Sequence, residues 1–258
     1  MTDSVPAQSI SVSVRGLRKS YTGQPVLKGI NLDVQPGEIF VIMGPSGGGK
    51  SVLLRHIIGL EQPDEGEIFL DGSSMRETDV ASRRRLAMVF QSGALLNSLT
   101  VAENVGLYLA EHRLHRPEEI DRIVTEKLEF LGLKGVKQKL PSELSGGMKK
   151  RVAIARALVI DPQLILYDEP TSELDPISTI TIGEEILALK DRIHVTSLVV
   201  THDRDLAFGV ADRIAMMSEG EILFIGTPHE VRSSSHPFIR KFLTAEFKFN
   251  ATDAHPTI

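Results

Sequence analysis

A glycine-rich segment near residue 50 has the residue types of a phosphate-binding loop. The run Gly44-Pro-Ser-Gly-Gly-Gly-Lys-Ser51 satisfies G-x-x-x-x-G-K-[ST] and falls between a predicted strand and a predicted helix. Backbone N–H groups in such a loop converge on phosphate oxygens, and the N-terminus of the following helix favours negative charge. Lys50 would bridge the terminal phosphates, and the Ser51 hydroxyl would ligate Mg²⁺. The candidate nucleotide contacts are Gly44, Pro45, Ser46, Gly47, Gly48, Gly49, Lys50, Ser51 and Val52.

Two adjacent acids follow an apolar run in the second half of the chain. Residues 164–167 (Leu-Ile-Leu-Tyr) lead directly into Asp168 and Glu169. Both carboxylates would then lie at the C-terminal end of a buried strand, the edge at which parallel sheets bind ligands. Asp168 fits an acid associated with Mg²⁺, and Glu169 fits a general base or a group that orients the attacking water. A strand that merely ends in solvated acids is the structural alternative.

A second segment also places small residues before a helix, at residues 144–148 (Leu-Ser-Gly-Gly-Met). Ser145 could act only as the helix N-cap, or the helix start left open by Gly146 and Gly147 could bind a phosphate. Two such helix starts for one nucleotide are explained if each serves a different copy of the chain. We therefore expect two copies to sandwich two nucleotides. The predicted helix carries one apolar stripe: Met148, Val152, Ala155 and Val159.

The elements that position these groups follow a β-α-β order. Strand-like runs fall at residues 10–14, 26–34, 39–43 and 66–72, and a helical pattern covers 51–60. Residues 92–160 are mostly helical in texture, with a capping box from Thr100 to Glu103. Strands at 164–167 and 197–200, separated by a helical segment, predict a parallel sheet, and residues 213–226 predict a hairpin.

Composition excludes several classes of function. The chain has 258 residues, of which 41% are hydrophobic, with a net charge of −5 and no cysteine. This charge gives no global attraction to nucleic acid, and disulfides, thiolate metal sites and cysteine nucleophiles are excluded. The N-terminal residues lack a signal peptide, and the apolar runs are far shorter than the roughly 20 residues that span a bilayer. A cytoplasmic protein is the expectation.

The phosphate loop alone would fit GTPases, small-molecule kinases and recombinases, but the whole motif set resembles the ATP-binding subunits of ABC transporters over about residues 10–230. In that family, residues 44–51 correspond to the Walker A loop, 144–148 to the signature, and 164–169 to Walker B with the catalytic acid. The resemblance implies an α/β fold. A RecA-like P-loop NTPase core with a mixed sheet and an antiparallel β subdomain would carry an inserted α-helical signature subdomain. The ATPase domain is expected over residues 1–244, with the core at about 10–91 and 161–230, the helical subdomain at about 92–160, and a tail at 245–258.

The same resemblance assigns four more residues. Gln91 corresponds to the Q-loop, where its amide can contact Mg²⁺ or the attacking water. His202 corresponds to the switch histidine and could donate to the γ-phosphate or hold Glu169. Tyr21 matches the aromatic residue that stacks on adenine, and Asp175, in the D-loop, would reach across the dimer. Taken singly, a glutamine or histidine at a strand end is more often structural. The implied cofactors are ATP and Mg²⁺.

Residues 44–60, 90–101 and 144–158 further resemble the Mla-type phospholipid-transport ATPases and related Mce-associated ones, in which Met148 is a subfamily mark. This implies an ATPase homodimer on the cytoplasmic side of the bacterial inner membrane, bound to an integral permease and working with a periplasmic lipid-binding subunit. The ATPase would not contact the transported lipid or any nucleic acid. Residues 94–96 (Ala-Leu-Leu) could receive a short cytoplasmic helix of the permease, or they could simply pack the helical subdomain.

Three alternatives remain. The chain could power an ABC transporter for another substrate. It could be a non-transport ABC ATPase that works as a nucleotide-driven clamp, although such proteins usually carry two fused ATPase units or a long coiled coil. A nucleotide-binding regulator without turnover is disfavoured because Glu169 and His202 are both present.

Overall fold

Ten strands in two sheets and eight α-helices make up the part of the chain that the computed structural model describes, residues 9–77 and 84–244. The strands are β1 (Val12–Tyr21), β2 (Gln24–Val34), β3 (Ile39–Met43), β4 (Glu65–Leu70), β5 (Ser73–Ser74), β6 (Leu86–Val89), β7 (Leu164–Asp168), β8 (Thr196–Thr201), β9 (Arg213–Ser218) and β10 (Glu221–Gly226). The helices are α1 (Lys50–Ile57), α2 (Val101–Glu111), α3 (Pro117–Phe130), α4 (Gly146–Leu158), α5 (Pro176–Ile193), α6 (Arg204–Val210), α7 (Pro228–Arg232) and α8 (Pro237–Leu243). A 3₁₀ turn covers Pro141–Glu143.

The six-stranded sheet has the order β10-β9-β3-β8-β7-β6. Strands β9, β3, β8, β7 and β6 run parallel, and β10 closes the sheet as an antiparallel hairpin with β9. Every residue of β3 and β7 is buried, because helices cover one face and the second sheet lies on the other. Alternate β3 residues enter different cores: Val41 packs with the helices, whereas Phe40 packs with the antiparallel sheet. The predicted parallel sheet and hairpin are confirmed.

The second sheet is antiparallel, with the order β2-β1-β4-β5. Its first strand runs to Tyr21, well beyond the predicted end at residue 14, because β1 pairs with β2 along its whole length despite register shifts. Gly16, at one shift, has φ 57°, a backbone conformation that glycine adopts without steric cost. Helix α1 packs under this sheet and ends at Ile57, three residues before the predicted end.

The segment from residue 92 to 160 contains α2, α3 and α4, as predicted. The Thr100 hydroxyl accepts the Glu103 N–H at the start of α2, and the Thr100 N–H donates to the Glu103 carboxylate, which confirms the predicted capping box. Helix α4 is buried around more of its circumference than the single predicted stripe, since it contacts α2, α3, α5 and β6. On its α5 side the Arg151 guanidinium lies 3.9 Å from the Glu185 carboxylate, and burial raises the pKa of Glu185 to about 8.

The predicted tail at residues 245–258 lies outside the described residues. Within those that are described, no helix has the length and apolarity to cross a membrane.

The β9–β10 turn provides a test of the contact between the two sheets. Gly220 has φ 81°, and a Cβ at this position would lie 2.3 Å from the Val26 carbonyl oxygen. Gly23, in the β1–β2 turn, also has φ 81°, but a Cβ there would meet nothing within 4 Å. The two positions share the same backbone penalty and differ in steric overlap.

We expect Gly220→Ala to lower the free energy of unfolding by about 2 kcal/mol more than Gly23→Ala does, because only the first creates a clash with the backbone. Urea titration of both variants measures the difference. Equal losses would contradict the packing of this turn against β2.

Candidate active site

The phosphate loop, residues 44–51, joins the end of β3 to the start of α1. Gly49 caps the helix with φ 94°, and a Cβ there would lie 2.9 Å from the Val26 carbonyl oxygen. At Gly44 a Cβ would lie 1.9 Å from the Met217 carbonyl oxygen. These two glycines are therefore required by conformation and by close backbone packing. Ser46 and Gly47 form the exposed turn of the loop, which is flanked by the half-buried Pro45 and Val52, and Gly48 is buried.

Lys50 is the cation at the base of this loop. Its side chain is 5% exposed, and Nζ donates to the carbonyl oxygens of Gly44 and Pro45, each at 3.0 Å. The same Nζ lies 3.4 Å from Oε1 of Glu169. A buried ammonium needs such partners, because desolvation is costly for an unpaired charge. The loop backbone and the acid after β7 together hold Lys50 in place.

Ser51 and Asp168 meet on the adjacent side of the loop. The Ser51 hydroxyl donates to Oδ1 of Asp168 at 2.6 Å, across 117 residues of sequence. Burial raises the pKa of Asp168, whereas the hydrogen bond from Ser51 opposes that rise. The two oxygens predicted to ligate Mg²⁺ are thus adjacent, as the sequence motifs require.

Glu169 occupies a backbone conformation that is rare for a residue with a side chain. Its φ is 47°, and its N–H donates to the Val200 carbonyl oxygen at 2.9 Å. Oε2 accepts the backbone N–H of His202 at 3.2 Å and lies 2.8 Å from its Nδ1. The unusual turn directs the carboxylate between Lys50 and His202. The structure therefore brings together the predicted acid and the predicted histidine.

Gln91 is exposed and follows β6 by two residues. Its carbonyl oxygen accepts a hydrogen bond from Lys150, a residue of α4 that sequence reasoning did not select. Lys150 is 6% exposed, and burial lowers its pKa while nearby carboxylates oppose that fall. The sequence indicates Lys150 only through its position, two residues after Met148 on α4, the helix that begins in the signature segment and is called the signature helix below. Nothing in the apolar pattern of this helix predicts that a lysine there is buried.

Ser145 stands directly before the first residue of α4. Its hydroxyl accepts the Met148 N–H at 3.3 Å, so it is an N-cap. Gly146 lies against the loop that precedes α5, and Gly147 lies against the first turn of α5: a Cβ on Gly146 would lie 3.3 Å from Leu174, and one on Gly147 would lie 3.0 Å from the Ser178 hydroxyl. The absence of side chains at these two positions allows the start of α4 to approach Leu174 and Ser178 closely. Ser145 and Gly146 are exposed.

Asp175, predicted to act across a dimer, is the N-cap of α5 in this chain. Its carboxylate accepts the N–H groups of Ile177 and Ser178, each at 3.0 Å, and the Ser178 hydroxyl at 2.6 Å. These bonds lower the pKa of Asp175. Any contact with a second copy would be made by a residue that its own helix already fixes.

Tyr21 ends β1 and is 38% exposed. Its hydroxyl donates to the Glu61 carboxylate, which also pairs with Arg55 of α1. Burial and the contact with Glu61 raise the pKa of Tyr21. The hydroxyl is thereby anchored to the end of the first helix, which fixes the position of the ring that was predicted to stack on adenine.

Comparison with known proteins identifies the family of this chain. The family model described as "ABC transporter" matches residues 27–172. The chain belongs to the ABC transporter family. It is 39% identical to the probable ribonucleotide transport ATP-binding protein mkl of Mycobacterium leprae over 91% of this chain and 69% of that protein. Identity is also 39% to the protein TRIGALACTOSYLDIACYLGLYCEROL 3, chloroplastic, of Arabidopsis thaliana, over 91% and 74% of the two chains.

Solved ABC cassettes share the fold. The ATP-binding cassette MJ0796, in a dimeric post-hydrolysis state bound to ADP and Pi, gives a TM-score of 0.76 at 34% identity and covers 84% of this chain and 98% of its own. The protein cbiO1 of Clostridium perfringens gives a TM-score of 0.78 at 31% identity, over 90% and 94%. The chain is an ABC ATPase with the predicted P-loop NTPase fold, and ATP is its nucleotide.

The contacts of Lys50 generate a direct test. Lys50→Ala removes the buried ammonium from the phosphate loop, so the affinity for ATP should fall by about 30-fold, in the range expected for a lost charge-assisted bond. Equilibrium binding of a fluorescent ATP analogue measures it. The control is Lys149→Ala, at a half-buried position outside the loop. Unchanged affinity in Lys50→Ala would overturn the assignment of residues 44–51 to the phosphates.

Proposed function

We propose that this ABC ATPase hydrolyses ATP with Glu169 as its general base or water-orienting group, in a dimer that drives a membrane permease. One observation carries the proposal: the Glu169 carboxylate lies between Lys50 Nζ, at 3.4 Å, and His202 Nδ1, at 2.8 Å. A water attacking the γ-phosphate needs a carboxylate on one side and cationic donors near the phosphate. This group of side chains supplies both at one edge of the sheet.

The division of roles follows from burial. Glu169 is 10% exposed at its side chain, whereas His202 is 54% exposed and can turn towards a bound phosphate. His202 holds the carboxylate through its backbone N–H as well as its ring. In this proposal Glu169 accepts a proton from the attacking water or orients that water. His202 holds Glu169 and the γ-phosphate in position.

The oxygens of Ser51 and Asp168 fit Mg²⁺. They are hard oxygen ligands that lie 2.6 Å apart. Burial disfavours the ionised form of Asp168 and raises its pKa, and a bound cation would stabilise the ionised form. Mg²⁺ is commonly held by one or two protein ligands together with the phosphates of its nucleotide. When bound, the ion would neutralise phosphate charge. Gln91, exposed two residues after β6, is a further candidate ligand.

A second copy completes the site in this proposal. The first turn of α4 has an exposed Ser145 and Gly146 beside a fixed Asp175, and a helix start of this type suits a phosphate. Solved structures support a dimer, because the relative MJ0796 is dimeric in two of them. We therefore infer that residues 145–147 and Asp175 of each copy face the nucleotide of the other.

The permease contact is proposed at residues 94–96, just after Gln91. Leu96 is 47% exposed, and Ala94 is exposed with φ 46°. Arg156 of α4 donates to the Ala94 carbonyl oxygen at 2.7 Å, and Asn104 binds the backbone of Leu96. The apolar side chain is thus presented on a backbone tied to the helical subdomain, so nucleotide-driven movement could reach a partner. The ATPase would lie on the cytoplasmic side of a bacterial inner membrane without contacting the cargo.

Phospholipid or a related lipid is the proposed cargo, with a periplasmic lipid-binding subunit as a further partner. Support comes from the resemblance of residues 44–60, 90–101 and 144–158 to the Mla-type ATPases, and from a lipid-named relative, TRIGALACTOSYLDIACYLGLYCEROL 3. Other relatives are named for ribonucleotide or for sulfate and thiosulfate, so the cargo needs its own experiment.

Purification of the tagged chain from detergent-solubilised membranes, followed by mass spectrometry of the intact complex, tests the cargo and the partners together. We expect an integral permease, a lipid-binding subunit and co-purified phospholipid. A complex whose soluble subunit binds an anion or a polyamine would replace the lipid proposal, and a chain recovered without any membrane protein would favour the clamp alternative.

Glu169→Gln tests the catalytic role. The change removes the basic carboxylate but retains the shape, so kcat should fall by about 100-fold or more while ATP affinity stays close to that of the wild type. With ATP bound and turnover blocked, sedimentation should show a stable dimer. The control is Glu184→Gln, on the exposed side of α5. Hydrolysis at the wild-type rate in Glu169→Gln would remove Glu169 from catalysis.

A further inference from the structure

Lys150 has a position unlike that of an ordinary helix lysine. It lies one turn into α4 and is 6% exposed, whereas lysine is rarely buried without a partner. Its ammonium has three donors, and three acceptors surround it: the carbonyl oxygen of Gln91, the carbonyl oxygen of Glu169 at 3.4 Å, and the Ser172 hydroxyl at 3.4 Å.

These three acceptors belong to two different connections of the site. Gln91 follows β6, whereas Glu169 and Ser172 both lie in the connection from β7 to α5. Strand pairing joins β6 to β7, but the segments beyond the strand ends have no ladder of their own. The Lys150 ammonium therefore joins the signature helix to both connections at a single point.

The contact with Glu169 is made at the residue under backbone strain. A φ of 47° is uncommon for glutamate, and such conformations persist only where the surroundings hold them. The Glu169 carbonyl oxygen accepts two hydrogen bonds, one from Lys150 and one from the Ser172 N–H at 3.2 Å. His202 and Lys50 hold the carboxylate of the same residue. Lys150 thus fixes the backbone that aims the carboxylate.

We propose that Lys150 is a positioning residue for hydrolysis: it holds Glu169 in its reactive backbone conformation and couples that conformation to the position of the signature helix. The inference rests on the proposed role of Glu169. Since the start of α4 would face the nucleotide in the second copy, movement of this helix on dimer closure acts through Lys150 on the catalytic carboxylate of its own chain. The two sites of the dimer are connected by this side chain.

The test uses Lys150→Met, which keeps the length of the side chain and removes its charge and donors. A misplaced catalytic group costs about 100-fold in rate, so kcat should fall by that factor while the equilibrium affinity for ATP changes by less than about threefold. Lys150→Arg, which retains the cation and its donors, should recover kcat to within about tenfold of the wild type. Lys149→Met, at the neighbouring half-buried position, is the matched control and should leave kcat unchanged.

A double-mutant cycle with Glu169→Gln distinguishes positioning from general support of the fold. If Lys150 acts through Glu169, adding Lys150→Met to Glu169→Gln should lower the single-turnover rate by less than about threefold further. The same large loss in both backgrounds, or a joint loss of ATP affinity, thermal midpoint and kcat, would overturn the proposal. Wild-type kcat in Lys150→Met would also overturn it.

Lys150→Gln, which retains an N–H donor in a neutral side chain, gives the same cycle if methionine prevents folding. The two proposals fail in different ways. Full hydrolysis by Glu169→Gln contradicts the catalytic role itself, whereas an inactive Glu169→Gln beside a fully active Lys150→Met contradicts only the positioning role.

Discussion

The parallel pairing of β8 between β3 and β7 is the constraint on which the site depends. This order places the C-terminal ends of three buried strands at one edge, where Met43 leads into the phosphate loop, Asp168 into Glu169, and Thr201 into His202. Parallel strands force these ends together whatever loops follow them. Residues separated by more than a hundred positions therefore meet without a long side chain having to span the gap.

Charge balance then decides how the buried groups are held. Lys50, Asp168 and Glu169 are all less than a tenth exposed, and each would be costly to bury alone. Lys50 pairs with Glu169 and donates to backbone carbonyl oxygens, while the carboxylates of Asp168 and Glu169 accept hydrogen bonds from the Ser51 hydroxyl and the His202 N–H. The result is a polar site whose dipoles are oriented before substrate binds, which is the arrangement that favours a charged transition state. Lys150 of the signature helix is likewise buried with hydrogen-bond acceptors around its charge.

Two structural features that matter to the site could not be predicted from the sequence. Lys150 lies off the apolar stripe of its helix, so periodicity predicts a solvated side chain, yet the packing of α4 against four other elements buries it. Gly220 is an ordinary turn glycine by pattern, yet its carbonyl oxygen binds the Lys28 N–H and its own N–H binds the carbonyl oxygen of Gly48 in the phosphate loop. Contacts between distant elements cannot be read from local periodicity.

By itself, the sequence determined the fold class and the order of the elements, because those depend on residue type and on spacing within a few turns of the chain. Tertiary structure alone decided that Glu169 adopts a left-handed backbone, that Asp175 and Ser145 act as helix caps, and that Lys150 is buried against the backbone of Gln91 and Glu169. Burial, backbone strain and the choice of hydrogen-bond partners depend on how the elements pack, because the partners of each side chain can lie far away in the chain.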